Sequence, residues 1–344
     1  MKKIAFISLA AFLILGCHSE TEPEGTLLRL DASRIVQVQI GIPGDGVVVL
    51  DTAAGIGRVD RMMLPGEEII LVADGRLVSF DAGSGTFVRQ FSRRGRAMDE
   101  YVSLWSAWCD DSCLCLYDFN AKKILEFSLS GELLENIDLS SKEIPFQTLI
   151  RLDEKGFVGK RVFGLEKVPE LSLFDNDYNY SVDCATIPLR SGLHLHYPFS
   201  KVEGEDRVLY NPYFSNEIWE ISREGSAVKY TVDFMERNVP LLKQFKDEYE
   251  IMDFLQSSKG GYSSLISNLY ESERFLCFSF VSNPGRKLYH VHDKVKGRSG
   301  TVEFQPEDAV VCTMGARRDT LFVLFQTESH TCFKSFALDS LEMS

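Results

Sequence analysis

No Gly-x-Ser-x-Gly elbow, glycine-rich phosphate loop or dinucleotide fingerprint occurs anywhere in the 344 residues. The local signatures of elbow-type serine hydrolases, P-loop NTPases and Rossmann dehydrogenases are therefore missing. Positive charge is also short: 37 Lys and Arg face 50 Asp and Glu, leaving a formal charge of −13. Binding a phosphate backbone takes a clustered basic face, so nucleic acid is not an expected partner. The basic cluster Arg93-Arg94 with Arg96 is short, lies beside Asp99 and Glu100, and reads as a solvated loop.

Metal-binding patterns are equally incomplete. Cys109, Cys113 and Cys115 are followed by no His or fourth Cys at zinc-finger spacing, and read as buried thiols acting as small hydrophobes. Cys113 and Cys115 lie two apart in an apolar run and point to the same face of a strand. His194-Leu195-His196 and His290-Val291-His292 each place two imidazoles two residues apart, with nothing nearby to complete a ligand set. Asp175-Asn176-Asp177 begins like a calcium loop, but Tyr180 and Thr186 stand where Gly and Glu are required. We expect no metal, no cofactor and no catalytic residue that sequence alone identifies.

What is present starts at the N-terminus. Lys2 and Lys3 precede an apolar run from Ile4 to Leu15, broken only by Ser8, with Gly16 next. A dozen apolar residues suit the core of an export signal, whereas a permanent span takes roughly 20. Ile14-Leu15-Gly16-Cys17 resembles the lipobox of bacterial lipoproteins, which implies cleavage before Cys17 and acylation of its thiol. Residues 1–16 are then a signal peptide and 17–25 a flexible tether, because His18-Ser19-Glu20-Thr21-Glu22-Pro23-Glu24 contains no apolar residue. The membrane, reached through this lipid, is the first expected partner. Acidic residues after the Cys resemble the surface-export signal of some Gram-negative anaerobes, so the expected location is the outer membrane, facing the periplasm or the cell surface. With Cys17 acylated, seven cysteines remain in an oxidising compartment.

From residue 26 to 344 one pattern recurs: a short Val/Leu/Phe-rich strand, a turn, then a strand of alternating polarity. The second strands align on Phe80, Phe127, Phe174, Glu220, His290 and Phe336, and all steps but one fall near 46 residues. The step from Glu220 to His290 carries about 24 more. A period of roughly 40–50 residues built from short strands marks propeller blades, because one blade buries its two faces only when flanked by others. The expected fold is all-β, a six-bladed β-propeller. Leu27 to Ile40 has strand alternation without a hairpin partner and is expected to complete the C-terminal blade, closing the ring.

The long step predicts a helical insertion between blades four and five, about 238–270. Leu241, Phe245, Tyr249, Met252 and Leu255 recur at threes and fours, with Asn238 as cap and Gly260-Gly261 as stop. Ser263 to Tyr270 suits either a second short helix or the first strand of blade five.

The chain resembles the six-bladed β-propeller lipoproteins of Gram-negative bacteria, TolB-like and NHL-like in architecture. The specific stretch is Gly95-Arg96-Ala97-Met98-Asp99-Glu100-Tyr101, followed by Leu116-Tyr117-Asp118 and Leu129-Ser130-Gly131-Glu132-Leu133. Family members carry Gly-x-Gly-Pro-Gly-Glu and an aromatic here. Gly95, Glu100 and Tyr101 match, while Ala97, Met98 and Asp99 depart from the pattern. The resemblance implies fold and location, not chemistry. A non-catalytic binding or scaffold protein, taking a protein or glycan ligand at one propeller mouth, is the leading expectation. The alternative is an extracytoplasmic hydrolase or lyase acting on glycans or peptides, and a third reading is an envelope assembly factor.

Overall fold

The computed structural model describes residues 25–31, 34–42, 44–110, 112–142, 146–161, 171–185, 197–212, 215–239, 248–257, 261–282 and 285–341. Residues 1–24, which hold the expected signal peptide, Cys17 and most of the expected tether, and the His194/His196 pair lie outside them.

Strand formation starts from the apolar runs. In Ile69-Ile70-Leu71-Val72-Ala73 every side chain is buried, because successive residues point to opposite faces and both faces are covered. Ile69 and Leu71 pack toward Phe322 and Leu324, while Ile70 and Val72 pack toward Leu114 and Leu116. A β-branched run that is apolar at every position is what a strand sandwiched between two other sheets requires.

Six sheets result, each built on four antiparallel strands. Blade 1 comprises Val59–Met63, Glu68–Ala73, Arg76–Asp81 and Phe87–Gln90. The innermost strands of blades 2 to 6 are Ser106–Cys109, Phe146–Asp153, Phe199–Lys201, Ser263–Glu271 and Val310–Arg317. Apolar clusters bridge each successive pair of blades, including blade 6 to blade 1, so the sheets form a closed ring of six. Each fully buried Leu, Ile or Phe in these seams contributes about 1.5–3 kcal/mol.

Closure occurs, but with different residues from those expected. Val47–Val49 is the outer strand of blade 6, antiparallel to Thr331–Ala337. Thr26–Arg29 instead lies parallel to Gly225–Asp233 on the outside of blade 4, and Ile35–Ile40 lies parallel to Arg298–Pro306 on blade 5. The N-terminal chain is thus a strap across three consecutive blades, giving blades 4 and 5 a fifth strand. Alternation marks 27–40 as strand, but it cannot choose among three exposed edges.

The insertion also differs from the expected helical segment over 238–270. Ser263–Glu271 is the inner strand of blade 5 and not a second helix. Asn238 closes a 3₁₀ turn, Met235–Arg237, by donating its N–H to Met235 O; its Oδ1 accepts from Phe234 N at 2.8 Å and its Nδ2 donates to Asp233 Oδ1 at 2.6 Å, fixing the chain as it leaves blade 4. The α-helix described in this stretch is Glu248–Ser257, and Tyr249 on its expected apolar stripe is exposed. No helix among the described residues is long and apolar enough to cross a membrane.

The motif between blades 1 and 2 proves to be a latch. Gly95 N donates to Tyr101 O at 2.9 Å and Tyr101 N to Arg93 O at 3.2 Å. The Glu100 carboxylate accepts from Ala97 N at 2.8 Å and pairs with Arg93 at 2.6 Å. These bonds hold its carboxyl below the usual range, the one from Ala97 foremost. Tyr101 is fully buried and donates its hydroxyl to Gly75 O in blade 1. Buried Asp118 then accepts from the backbone N–H groups of Val102, Ser103 and Ala121. In the preceding blade Asp74 acts in the same way, accepting from Gly57 N and Arg58 N.

Candidate functional site

A cavity of about 1110 Å³ occupies the centre of the ring and is lined by all six blades. Its walls are inner strands, whose side chains have no seventh sheet to pack against. Charged and polar groups therefore collect there.

Arg61 lies in the inner strand of blade 1, and its Cζ stands 4.8 Å from the ring centre of Tyr197, at the start of blade 4. Blades 1 and 4 face each other across the ring, so this cation–π pair spans the channel. Burial lowers the proton affinity of the guanidinium. Asp110, at the end of the blade 2 strand, meets Arg151 of blade 3 at 3.1 Å and Lys201 of blade 4 at 3.4 Å. Burial raises the Asp110 carboxyl against the pull of those two cations. Lys287 donates to Cys312 O at 2.7 Å, and burial lowers its ammonium. At the ends of the inner strands the rim carries exposed Glu67, Glu203 and Asp206 beside Arg317 and exposed Arg318.

Blade 5 contributes a distorted wall. Leu265 and Asn268 have φ of 59° and 51°, and the strand shifts register on either side of Ser267. Left-handed non-glycine residues cost about 1–2 kcal/mol each, so the surroundings must impose them. Ser279 provides the hold, at 2.9 Å from both Ser267 Oγ and Asn268 Nδ2. The double bulge sets Ser267 and Asn268 into the channel lining, a common use of bulges.

Two buried polar atoms in the lining have no partner among the described residues: Trp108 Nε1 and Asn211 Oδ1. The Asn211 amide nitrogen is engaged by Ser215 O and Glu217 O, which fixes its orientation.

The structure separates the cysteine trio. Cys113 and Cys115 share a face, with sulfurs 3.9 Å apart, in the core between blades 2 and 3. Cys109 faces the other way, its sulfur 3.9 Å from Met63 Sδ. Asp110 takes its place, within 4.8 Å of both thiols. Arg151 and Lys201 already neutralise that carboxylate, and the Cys113 thiol together with burial keeps Cys115 protonated. That arrangement disfavours a further cation. His290 is buried with Nδ1 3.0 Å from Thr301 Oγ1, and His292 Nδ1 lies 2.8 Å from Ser299 Oγ, so each serves its own blade. Asp175 closes a strand turn by accepting from Asn179 N at 2.8 Å. Arg93 is bound into the Glu100 latch.

Arg61, Asp110, Tyr197 and Lys287 were not singled out by sequence reading. The available signal was positional. Once the repeat is set, charged residues on or just past the innermost strands, such as Arg61 and Asp110, stand out as channel groups; Lys287 on the third strand of blade 5 and Tyr197 ahead of Phe199–Lys201 do not.

A domain of unknown function, DUF4934, matches residues 54–329. The chain belongs to the DUF4934 family. No curated protein matches this DUF4934 chain. Among solved structures it is similar to a Bacteroides fragilis protein inferred to be exported, with a TM-score of 0.67 at 14% identity, covering 88% of this chain and 99% of that one. It is also similar to a DUF4221 family member from Bacteroides vulgatus, with a TM-score of 0.56 at 10% identity, covering 85% and 96%. At such identities the likeness establishes the propeller fold of the DUF4934 chain and nothing of its ligand.

Proposed function

We propose that this chain is a non-catalytic binding protein of the TolB-like and NHL-like lipoprotein kind. It is held at the outer membrane by acyl chains on Cys17, with its ligand in the central channel. The observation that carries the reading is the engagement of three channel carboxylates, Asp60, Asp110 and Glu203, with Glu67 and Asp206 exposed at the rim. Asp60 is paired with Arg58 at 2.8 Å, Asp110 with Arg151 and Lys201, and Glu203 accepts from the Tyr270 hydroxyl. Carboxylate oxygens already taken up by cations or by a hydroxyl are poorly placed to reach a substrate proton, which a general acid or base must contact directly. The cavity remains a large polar chamber suited to holding a molecule.

Placement outside the cytoplasm rests on the lipobox-like Ile14-Leu15-Gly16-Cys17 and agrees with the inferred export of the Bacteroides fragilis protein of similar fold. More than one acyl chain gives stable attachment. The test is expression in a Gram-negative host followed by membrane fractionation. Wild type is expected in the outer membrane with an acylated N-terminal Cys17, and C17A in neither form. Wild type found soluble and unacylated would remove the anchoring element of the proposal.

A further inference from the structure

We infer that the channel recognises a carboxylated sugar, a uronic acid unit within an oligosaccharide, and that Arg61 holds its carboxylate. The inference rests on the binding role proposed above and names the class of ligand. Among the described residues the Arg61 guanidinium forms no hydrogen bond and no ion pair, and its contact is the face of Tyr197. A cation–π contact engages the plane of the guanidinium and leaves its N–H edge free. That edge is a fork of donors whose geometry matches a carboxylate with two parallel bonds. A half-buried cation without counter-charge is costly by itself, and the central Asp110 is already taken by Arg151 and Lys201.

The rest of the lining selects among anions. Lys287 adds a second cation bound to a carbonyl and not to a carboxylate. Exposed Glu67, Glu203 and Asp206 on the rim, with a chain charge of −13, oppose polyanions and multiply charged phosphates. A singly charged group carried on a neutral body meets less resistance. Ser267, Asn268 and Thr313 present hydroxyl and amide groups, and Trp108 Nε1 and Asn211 Oδ1 are a donor and an acceptor with no partner among the described residues. Such a wall suits a polyhydroxylated molecule better than an apolar one, and about 1110 Å³ has room for several sugar rings.

The test is calorimetric titration of the full chain with four probes: a glucuronate-containing oligosaccharide, its neutral glucose counterpart, an acidic peptide and inorganic phosphate. Wild type is expected to bind the uronate sugar at least 10-fold more tightly than the other three. R61Q should lose that preference, R61K should keep some of it, and R96Q, on the exposed loop, should bind as wild type. Thermal unfolding of each variant shows whether it is folded. Equal binding of acidic and neutral sugars, or an unchanged preference in folded R61Q, overturns the assignment of Arg61 while leaving a binding role intact. Tighter binding of phosphate or the peptide overturns the ligand class. Failure of every probe to bind wild type overturns the ligand class as well, and capture of a different ligand in the channel would then show that the binding role survives it.

Discussion

Gly95 does not adopt the left-handed backbone that makes glycine necessary in many turns. A Cβ there would collide with the Glu100 carboxylate, which is fixed by Ala97 N and Arg93. Glycine is needed for room. G95A is therefore expected to lower the urea midpoint of unfolding, through loss of the Glu100 bonds to Ala97 and Arg93. The matched residues Gly95, Glu100 and Tyr101 were legible as a motif, but their structural task was not, since sequence does not show which carboxylate closes on which amide. His290 offers a second residue-scale prediction. Burial pushes its imidazole down to about 3, and its Nε2 has no partner among the described residues. The unfolded chain takes up this proton near pH 6.5 and the folded chain does not. Stability is thus full above pH 6.5 and falls as pH drops toward 3, by about 1.4 kcal/mol per unit. Between pH 7 and 5 the loss from this group is about 2 kcal/mol. H290Q should flatten that stretch of the stability curve, while an unchanged slope would show that His290 is not responsible.

Elements divide into those with patterns that sequence can express and those without. The second strand of each blade is buried on both faces and the third less completely, as in blades 4 and 6, and these apolar runs and turns set the 46-residue step. The strap is different. Its parallel pairing needs no hairpin, so no turn residue reveals that Thr26–Arg29 joins blade 4 and Ile35–Ile40 joins blade 5. Likewise, the run Leu241 to Leu255 shows a helical stripe; its described part, Glu248–Ser257, is a helix with Tyr249 exposed, and Leu241 and Phe245 lie outside the described residues. Deleting 25–40 removes buried Leu28, Leu30 and Ile40 and bares two sheet edges. The expected cost is about 5 kcal/mol with the ring still closed by Val47–Val49. Extending the deletion through residue 50 removes that closure and should abolish a single cooperative thermal transition by circular dichroism. Equal stability of the two deletions would contradict the roles given to these strands.

At the scale of the whole molecule, repeat and ring were readable because six similar units each need neighbours to bury their faces. The channel was not. A cation such as Arg61 within Val59–Met63 resembles any surface residue until the ring places that strand at the centre. Tyr197 is more distant still, meeting Arg61 only because blades 1 and 4 stand opposite. The proposed function depends on this convergence, and hydrogen–deuterium exchange on the full chain with and without a glucuronate oligosaccharide tests it most directly. The account predicts slowed exchange confined to inner strands and rim, in Val59–Met63, Phe199–Lys201, Ser263–Glu271 and Val310–Arg317. Protection on an outer edge such as Tyr180–Ala185, or on the strap, with the inner strands unchanged, would contradict it.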